Sequence, residues 1–312
     1  MITLEDIIIA HKRIKPFIHR TPILTSDSIN RLTGSKLFFK CENFQKAGAF
    51  KIRGATNAVE QLTAKQMQSD IVTASSGNHG AALALAASRH NKQAVVIMPS
   101  NSSKMKIANV KRNGGDIIWC EPIQKSREME LEKYVSNSGA EVIHPYNDKR
   151  VISGQGTTAK ELLEDCSNLD SIVCPVSGGG LLSGTLCAAK NMKHSITIYG
   201  AEPIEADDTY RSLRAGKRLE NKTTNTICDG LRAQVGVINF SIINAMVDDI
   251  ITLSEEEIIS SMRIIFERMK ILVEPSSAIA LAAIIKRKDL FENKDVGIIL
   301  SGGNIDIDAF PW

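Results

Sequence analysis

The order of secondary-structure signals along the chain constrains the fold more than any other feature. Short apolar segments, such as 71–74, 94–98 and 171–176, alternate with amphipathic stretches, and glycine or small polar residues separate them. Apolar strands that alternate with helices are typical of a parallel sheet covered by helices on both faces. The sequence therefore predicts an α/β protein.

The alternation occurs in two blocks, and a length of 312 residues is enough for about two domains. We predict a small domain over residues 70–147 and a large domain over residues 1–69 and 148–312. In the second block, a helix is expected at about 157–165, following Gly154.

Polar or glycine-rich clusters follow several of the predicted strands. Because the carboxyl ends of parallel strands meet at one edge of a sheet, a ligand site is expected where these clusters gather. The four clusters are Ser75 to Gly80, Ser177 to Gly180, Glu202 to Asp208, and Ser301 to Asn304.

Composition excludes several classes of function. A net charge of +3 without a run of basic residues argues against nucleic-acid binding. No segment approaches the roughly 18 apolar residues of a membrane span, and the N-terminus lacks a signal-peptide pattern. The six cysteines are scattered without a C-x-x-C pair, which indicates free thiols. We therefore expect a cytoplasmic protein that binds neither membranes nor nucleic acid.

A glycine-rich turn joins the strand at 171–176 to the next predicted helix. Gly178, Gly179 and Gly180 would expose backbone N–H groups at the positive end of that helix, which favours a phosphate ligand. A dinucleotide site competes, because Glu202 ends the following strand as a ribose-binding acid would. The spacing is G-G-G-x-x-x-G rather than G-x-G-x-x-G, however, and no Walker lysine follows. A phosphate-bearing cofactor without adenosine agrees better with this pattern.

Lys51 has apolar neighbours, unlike most lysines. Phe50 and Ile52 flank it, and small residues precede it. An apolar environment disfavours the ammonium form and lowers the pKa, as an amine that forms a Schiff base requires.

Four ordered segments resemble the signatures of fold-type II pyridoxal phosphate enzymes, which share a two-lobed, tryptophan synthase β-like α/β fold. They read E-N-F-Q-K-A-G-A-F-K-I-R-G, S-S-G-N-H-G, S-G-G-G-L-L-S-G and S-G-G-N. Within that group, the chain is most similar to the serine racemase and serine/threonine dehydratase family. The resemblance extends from about Asp6 to Asp306.

The resemblance implies a role for each matching residue. Lys51 would carry the cofactor as a Schiff base and move the Cα proton, with Ser76 as the second acid/base on the other face of the ring. The implied cofactor-binding residues are Phe50, Lys51, Asn78, Ser177, Gly178, Gly179, Gly180, Leu181, Glu274 and Ser301. The implied substrate-binding residues are Ser75, Ser76, Gly77, Asn78, His79 and Arg127.

Three of these positions keep alternatives. Ser76, where threonine dehydratases usually carry alanine, could serve only as a hydroxyl that binds the carboxylate. His79 could act as a base, although a donor to the substrate carboxylate is the preferred interpretation. Arg127 could equally be an exposed helix arginine. Tyr146 stands where animal racemases have asparagine, which leaves side-chain specificity open.

An acidic segment suggests a divalent cation. The carboxylates of Glu202 and Asp208 offer hard oxygen ligands, although most acidic loops are only solvated. The resemblance to the racemase pattern E-P-x-x-A-D-D adds the carbonyl of Ala206 as a third ligand. It implies Mg²⁺, with Ca²⁺ and Mn²⁺ as alternatives.

The activity that the resemblance implies is interconversion of L- and D-serine, together with β-elimination of serine or threonine to pyruvate or 2-oxobutyrate plus ammonia. Dehydration of threonine or threo-3-hydroxyaspartate without significant racemisation is the alternative. A nucleotide-binding oxidoreductase and a ligand-binding protein without turnover are the competing classes. The expected partners are a hydroxy amino acid substrate, a second copy of the chain in a homodimer, and a nucleotide effector at the dimer interface.

Overall fold

A computed structural model describes residues 2–312, in which the chain forms two sheets of mainly parallel strands surrounded by helices. The strands are β1 Ile23–Leu24, β2 Lys36–Cys41, β3 Ile71–Ala74, β4 Ala94–Pro99, β5 Asp116–Cys120, β6 Glu141–Val142, β7 Ser171–Pro175, β8 Thr197–Pro203, β9 Asp249–Leu253 and β10 Asp295–Leu300. The helices are α1 Leu4–Ile14, α2 Asp27–Thr33, α3 Lys51–Val59, α4 Asn78–Ser88, α5 Lys104–Arg112, α6 Gln124–Ser138, α7 Lys149–Asp165, α8 Gly180–Met192, α9 Asp208–Ala215, α10 Val237–Met246, α11 Glu255–Met269, α12 Pro275–Lys286 and α13 Lys288–Phe291.

The larger sheet has six strands in the order β1-β2-β10-β7-β8-β9. All neighbours pair in parallel except β1, which adds to the edge of β2 in the antiparallel sense. Successive residues of β7 belong to different cores, since Val173 lies in one apolar cluster and Ile172 and Cys174 lie in another. Helices therefore cover both faces, which confirms the predicted α/β fold with parallel sheets.

The smaller sheet has four parallel strands in the order β5-β4-β3-β6. All of its strands lie between residues 71 and 142, inside the segment predicted as the small domain. The exact domain division at residues 70 and 147 stays a prediction. In the part of the chain from 2 to 312, no helix has the length and apolarity needed to cross a membrane.

One helix begins earlier than the sequence predicts. α7 starts at Lys149 rather than near 157, because the side chain of Asp148 caps it by accepting a hydrogen bond from the backbone N–H of Arg150. Gly154 lies inside this helix instead of preceding it. A Cβ atom there would lie 2.6 Å from the carbonyl oxygen of Arg53, so the glycine allows α7 to approach α3 closely.

Candidate active site

A cleft of about 1220 Å³ opens at the carboxyl ends of strands from both sheets. Three of the four predicted polar clusters contribute to it, whereas the segment 202–208 does not. The predicted site residues that line the cleft are Phe50, Lys51, Ser75, Ser76, Asn78, His79, Arg127, Ser177, Gly178, Gly179, Gly180, Leu181, Glu274 and Ser301.

Lys51 is the first residue of α3, and its amine lies in the cleft. Its Nζ atom donates to the carbonyl oxygen of Pro145 at 2.9 Å and lies 5.1 Å from the centroid of the Phe50 ring. Burial lowers the pKa of the Lys51 amine from 10.5 to about 8, and the Glu274 carboxylate opposes part of this shift. A substantial fraction of the amine is therefore uncharged and nucleophilic near neutral pH.

The turn 177–181 lines the cleft and leads into α8, whose first backbone N–H groups have no acceptor within the helix. The carbonyl of Gly178 faces away from the cleft, because it accepts hydrogen bonds from the backbone N–H of Gly236 at 3.0 Å and from Nδ2 of Asn239 at 2.7 Å. A Cβ atom on Gly178 would lie 2.4 Å from the ring of Tyr146. The donors and the lack of a side chain fit a phosphate group.

The loop that enters α4 forms another wall. The hydroxyl oxygen of Ser75 accepts from the N–H groups of Gly77 and Gly80, both at 3.1 Å, so it caps the helix. Gly77 has a φ of 154°, and a Cβ atom there would lie 2.6 Å from the side chain of Lys106. Gly77 itself does not line the cleft. Ser76 does line the cleft, as an acid/base or a carboxylate ligand must.

A chain of hydrogen bonds fixes the amide of Asn78. Its Nδ2 donates to Oε1 of Glu274 at 2.8 Å, and its Oδ1 accepts from Nδ2 of Asn304 at 2.9 Å. The second hydrogen on Nδ2 is left to contact an oxygen on a ligand ring. Ser301 completes this side of the cleft, where its hydroxyl donates to the carbonyl of Ser276 at 3.5 Å.

Lys106 is a site residue that sequence reasoning missed. It is 3% exposed, and its Nζ atom lies 2.7 Å from Asp229 and 3.2 Å from Glu274. Although burial opposes the charged form, these two carboxylates raise the pKa of Lys106 to about 12. No sequence signal distinguishes this lysine from the solvated lysines around it on α5, because both partners lie more than a hundred residues away.

His79 is oriented differently from the preferred interpretation. Its Nε2 atom is 3.2 Å from the carbonyl oxygen of Ile143, to which it can only donate. Nδ1 therefore carries a lone pair, and burial together with Lys51 lowers the pKa of His79 to about 3. In this tautomer the ring is neutral, its Nε2–H is used by Ile143, and Nδ1 is buried without a partner among the described residues.

The predicted metal ligands form a separate buried group outside the cleft. Both oxygens of Glu202 accept backbone hydrogen bonds, and Oδ2 of Asp208 accepts from the N–H of Val235 at 2.8 Å. Oδ1 of Asp208 is buried without a partner in the described chain. Burial raises the pKa of both carboxyls. A divalent cation bound by these two carboxylates and by the buried Ala206 carbonyl would give Oδ1 of Asp208 the positive partner that it lacks.

The cleft, with its desolvated lysine and phosphate-binding turn, defines a pyridoxal phosphate enzyme. The chain matches the pyridoxal-phosphate dependent enzyme family over residues 14–302 and belongs to it. Membership of this family indicates that the cofactor is pyridoxal phosphate.

Within the family, the chain is similar to serine racemases. It is 51% identical to a serine racemase of Arabidopsis thaliana, covering 96% of this chain and 92% of that one. It is 46% identical to the beta-hydroxyaspartate dehydratase of Paracoccus denitrificans, covering 99% and 98%. The structure of maize serine racemase superimposes with a TM-score of 0.96 at 46% identity, covering 98% of this chain and 95% of that one.

Proposed function

We propose that the chain is a serine racemase with serine/threonine dehydratase activity. It interconverts L- and D-serine and converts serine or threonine to pyruvate or 2-oxobutyrate plus ammonia. The observation that carries this proposal is the half-buried Lys51 side chain, whose pKa is lowered to about 8, in the same cleft as Ser76 and the 177–181 turn. Similarity to serine racemases of 45% identity or more supports the substrate class.

The residues of the cleft divide the work of binding. The turn from Ser177 to Leu181 would hold the phosphate of the cofactor, Phe50 would pack beside its ring, and Asn78, Glu274 and Ser301 would hold the edge of the ring. The N-terminal end of α4, entered by the loop from Ser75 to His79, binds the substrate carboxylate through its N–H groups and the positive end of the helix dipole. Bound pyridoxal phosphate supplies an electron sink that acidifies the Cα–H bond of the amino acid.

Two side chains move protons in this proposal. Lys51 takes the Cα proton from one side, and Ser76 returns a proton from the other side when the product is D-serine. Loss of the β-hydroxyl before reprotonation gives the dehydratase products instead. Ser301 would lie at the nitrogen of the cofactor ring, and its hydroxyl, a weaker acid than a carboxylic acid, would not protonate that nitrogen.

Incubation of the purified holoenzyme with L-serine tests this function. We expect both D-serine, resolved by chiral chromatography, and pyruvate. Ser76→Ala should suppress D-serine formation at least about tenfold while pyruvate formation from L-serine persists. Ser88→Ala, on the exposed end of α4, is the matched control and should change neither product. Absence of both products from the wild-type enzyme would refute the proposal.

Dehydration of threo-3-hydroxyaspartate is the second candidate. Arg127 lines the cleft, where its guanidinium can pair with a second substrate carboxylate, and a dehydratase of that substrate class is 46% identical. Comparison of kcat/KM for serine, threonine and threo-3-hydroxyaspartate decides between the candidates. A preference for the dicarboxylate that is lost in Arg127→Met, without any D-serine from L-serine, would favour the second.

Glu202, Ala206 and Asp208 are the proposed ligands of a divalent cation, with Mg²⁺ the first choice and Ca²⁺ or Mn²⁺ the alternatives. The unpartnered oxygen of Asp208 supports this site. We expect Mg²⁺ to raise the unfolding temperature of wild-type enzyme treated with EDTA, and to have no such effect on Asp208→Asn. An equal response of both proteins would count against the site.

Dimerisation, a nucleotide effector at the dimer interface and a cytoplasmic location complete the proposal. Exposed apolar side chains such as Val237 and Phe266, at 57% and 44%, suit burial against a second copy. Light scattering after size-exclusion chromatography should give about twice the monomer mass of 34.1 kDa.

A further inference from the structure

His144 is held in a single tautomer by its own turn. Its Nδ1 atom accepts hydrogen bonds from the backbone N–H groups of Asn147 at 2.9 Å and Tyr146 at 3.3 Å. Because Nδ1 accepts, the ring proton of neutral His144 must be on Nε2. Nε2 is on the opposite side of the ring from that turn, and the ring lines the cleft. It has no partner among the side chains that the structure describes.

His79 also lines the cleft, but its ring nitrogens are not open to it. Its Nε2–H donates to the carbonyl of Ile143, the residue just before His144, and its Nδ1 is buried without a partner among residues 2–312. His79 is only 2% exposed. Of the two rings, His144 is therefore the one with an N–H group available to a ligand.

Both rings flank the reactive amine and stay uncharged. Burial and, to a smaller extent, the neighbouring Lys51 lower the pKa of His144 to about 4, and the same two causes lower the pKa of His79 to about 3. The amine of Lys51 itself donates to the carbonyl of Pro145, directly after His144. The N–H donor of His144 therefore lies near the amine that handles the substrate Cα proton.

We infer that His144 forms the specificity contact for the substrate β-hydroxyl. Nε2–H of His144 donates to the β-oxygen, which is next to the Cα atom whose proton Lys51 handles. Alanine has no β-oxygen and would leave this donor without an acceptor. This inference rests on the proposed function, since it names the substrate feature that the site selects.

Neither ring exchanges a proton in the elimination. The Cα proton moves to Nζ of Lys51, the Cβ–O bond breaks with its electron pair on oxygen, and this oxygen leaves as water with the proton returned by Lys51. The hydrogen bond from His144 stabilises the negative charge that develops on the departing oxygen. A β-chloro substrate releases chloride without needing a proton, so it depends much less on this contact.

Two substitutions at position 144 separate the donor from the turn. The amide oxygen of asparagine can replace Nδ1 as acceptor for the turn, so His144→Asn removes only the donor. The amide nitrogen of glutamine can replace Nε2, so His144→Gln keeps a donor towards the cleft. His90→Asn, a surface change that removes a side-chain contact with Glu60, is the control. The dissociation constants of L-serine and L-alanine are measured on each holoenzyme from the cofactor absorbance, by stopped flow for serine.

We expect wild-type, His90→Asn and His144→Gln to bind L-serine at least about tenfold more tightly than L-alanine, and His144→Asn to retain less than about threefold. In His144→Asn, kcat/KM should fall about tenfold to a hundredfold for L-serine elimination but less than about threefold for β-chloro-L-alanine. Retained serine selectivity in His144→Asn, or equal losses on the two substrates, would overturn the inference.

The outcomes for the site and for the function are distinct. Selective serine binding that His144→Asn abolishes, in an enzyme that forms neither D-serine nor pyruvate, supports the hydroxyl site and refutes the proposed function. If the wild-type enzyme forms D-serine or pyruvate but binds alanine as tightly as serine, the proposed function is supported and the hydroxyl site is refuted.

Discussion

Substitution of Arg53 by methionine should destabilise the protein strongly, because this guanidinium neutralises a buried cluster directly beneath the start of α3. Arg53 is fully buried, and it donates to Glu42 at 2.7 and 2.8 Å, to Glu161 at 2.7 and 2.9 Å, and to the hydroxyl of Thr157 at 3.1 Å. Lys40 also pairs with Glu161 at 2.8 Å. Two lysine or arginine charges thus balance two glutamates.

The expected magnitude follows from what each change leaves behind. Arg53→Met leaves one buried carboxylate without a compensating charge, which costs about 3–5 kcal/mol of unfolding free energy. Arg53→Met combined with Glu42→Gln restores the charge balance, since Lys40 and Glu161 remain paired. The double variant should therefore be more stable than the single one, although it has lost more hydrogen-bonding groups.

Urea unfolding at a constant, saturating pyridoxal phosphate concentration measures these differences, with fluorescence and circular dichroism as independent probes of a single transition. Arg263→Met removes an exposed arginine paired with Glu267 and should change the free energy by less than about 1 kcal/mol. The reasoning is refuted if Arg53→Met costs no more than this control, or if adding Glu42→Gln makes the single variant less stable.

Three further perturbations have defined outcomes. The rate at which the apoenzyme binds pyridoxal phosphate should rise with pH, with a midpoint near 8, because the pKa of Lys51 is lowered to about 8. A midpoint near 10.5 would contradict the lowered pKa of this amine. At pH 7.5 about a quarter of the amine is uncharged, against about 0.1% for an ordinary lysine. Gly178→Ala should weaken the affinity for pyridoxal phosphate at least about tenfold, because its Cβ would lie 2.4 Å from the Tyr146 ring. Equilibrium titration of the apoenzyme measures this affinity, and an unchanged value would contradict the assignment of the 177–181 turn as the phosphate site. Lys106→Met should cost about 3–5 kcal/mol in urea unfolding, because it leaves the buried glutamate at 274 uncompensated, whereas Lys104→Met on the exposed face should cost less than about 1 kcal/mol.

Local sequence patterns were sufficient for the elements that carry the site. The strand at 71–74 agrees with the prediction, because apolar periodicity depends on residues a few positions apart. The glycines at 178–180 and the apolar neighbours of Lys51 were informative for the same reason. A turn and an apolar environment are both visible within a few residues.

Gly154 shows where local patterns fail. In sequence it indicates a break, but in the structure it lies inside α7, where contact with α3 leaves no room for a side chain. The helix is stable because tertiary packing outweighs the roughly 1 kcal/mol by which glycine disfavours a helix interior. No pattern within α7 reveals that α3 lies against it.

Residues close together in the sequence are sufficient to identify the α/β class, the lysine and the phosphate-binding turn. The charge and the hydrogen bonds of the site residues depend instead on how distant parts of the chain pack together. Lys106 stays charged in its buried position because it pairs with Asp229, which is 123 residues away in the sequence. The carbonyl of Ile143, 64 residues from His79, accepts from Nε2 of that ring and leaves Nδ1 as the acceptor. Burial and hydrogen-bond partners are set by residues distant in the sequence, and these two factors determine pKa and tautomer.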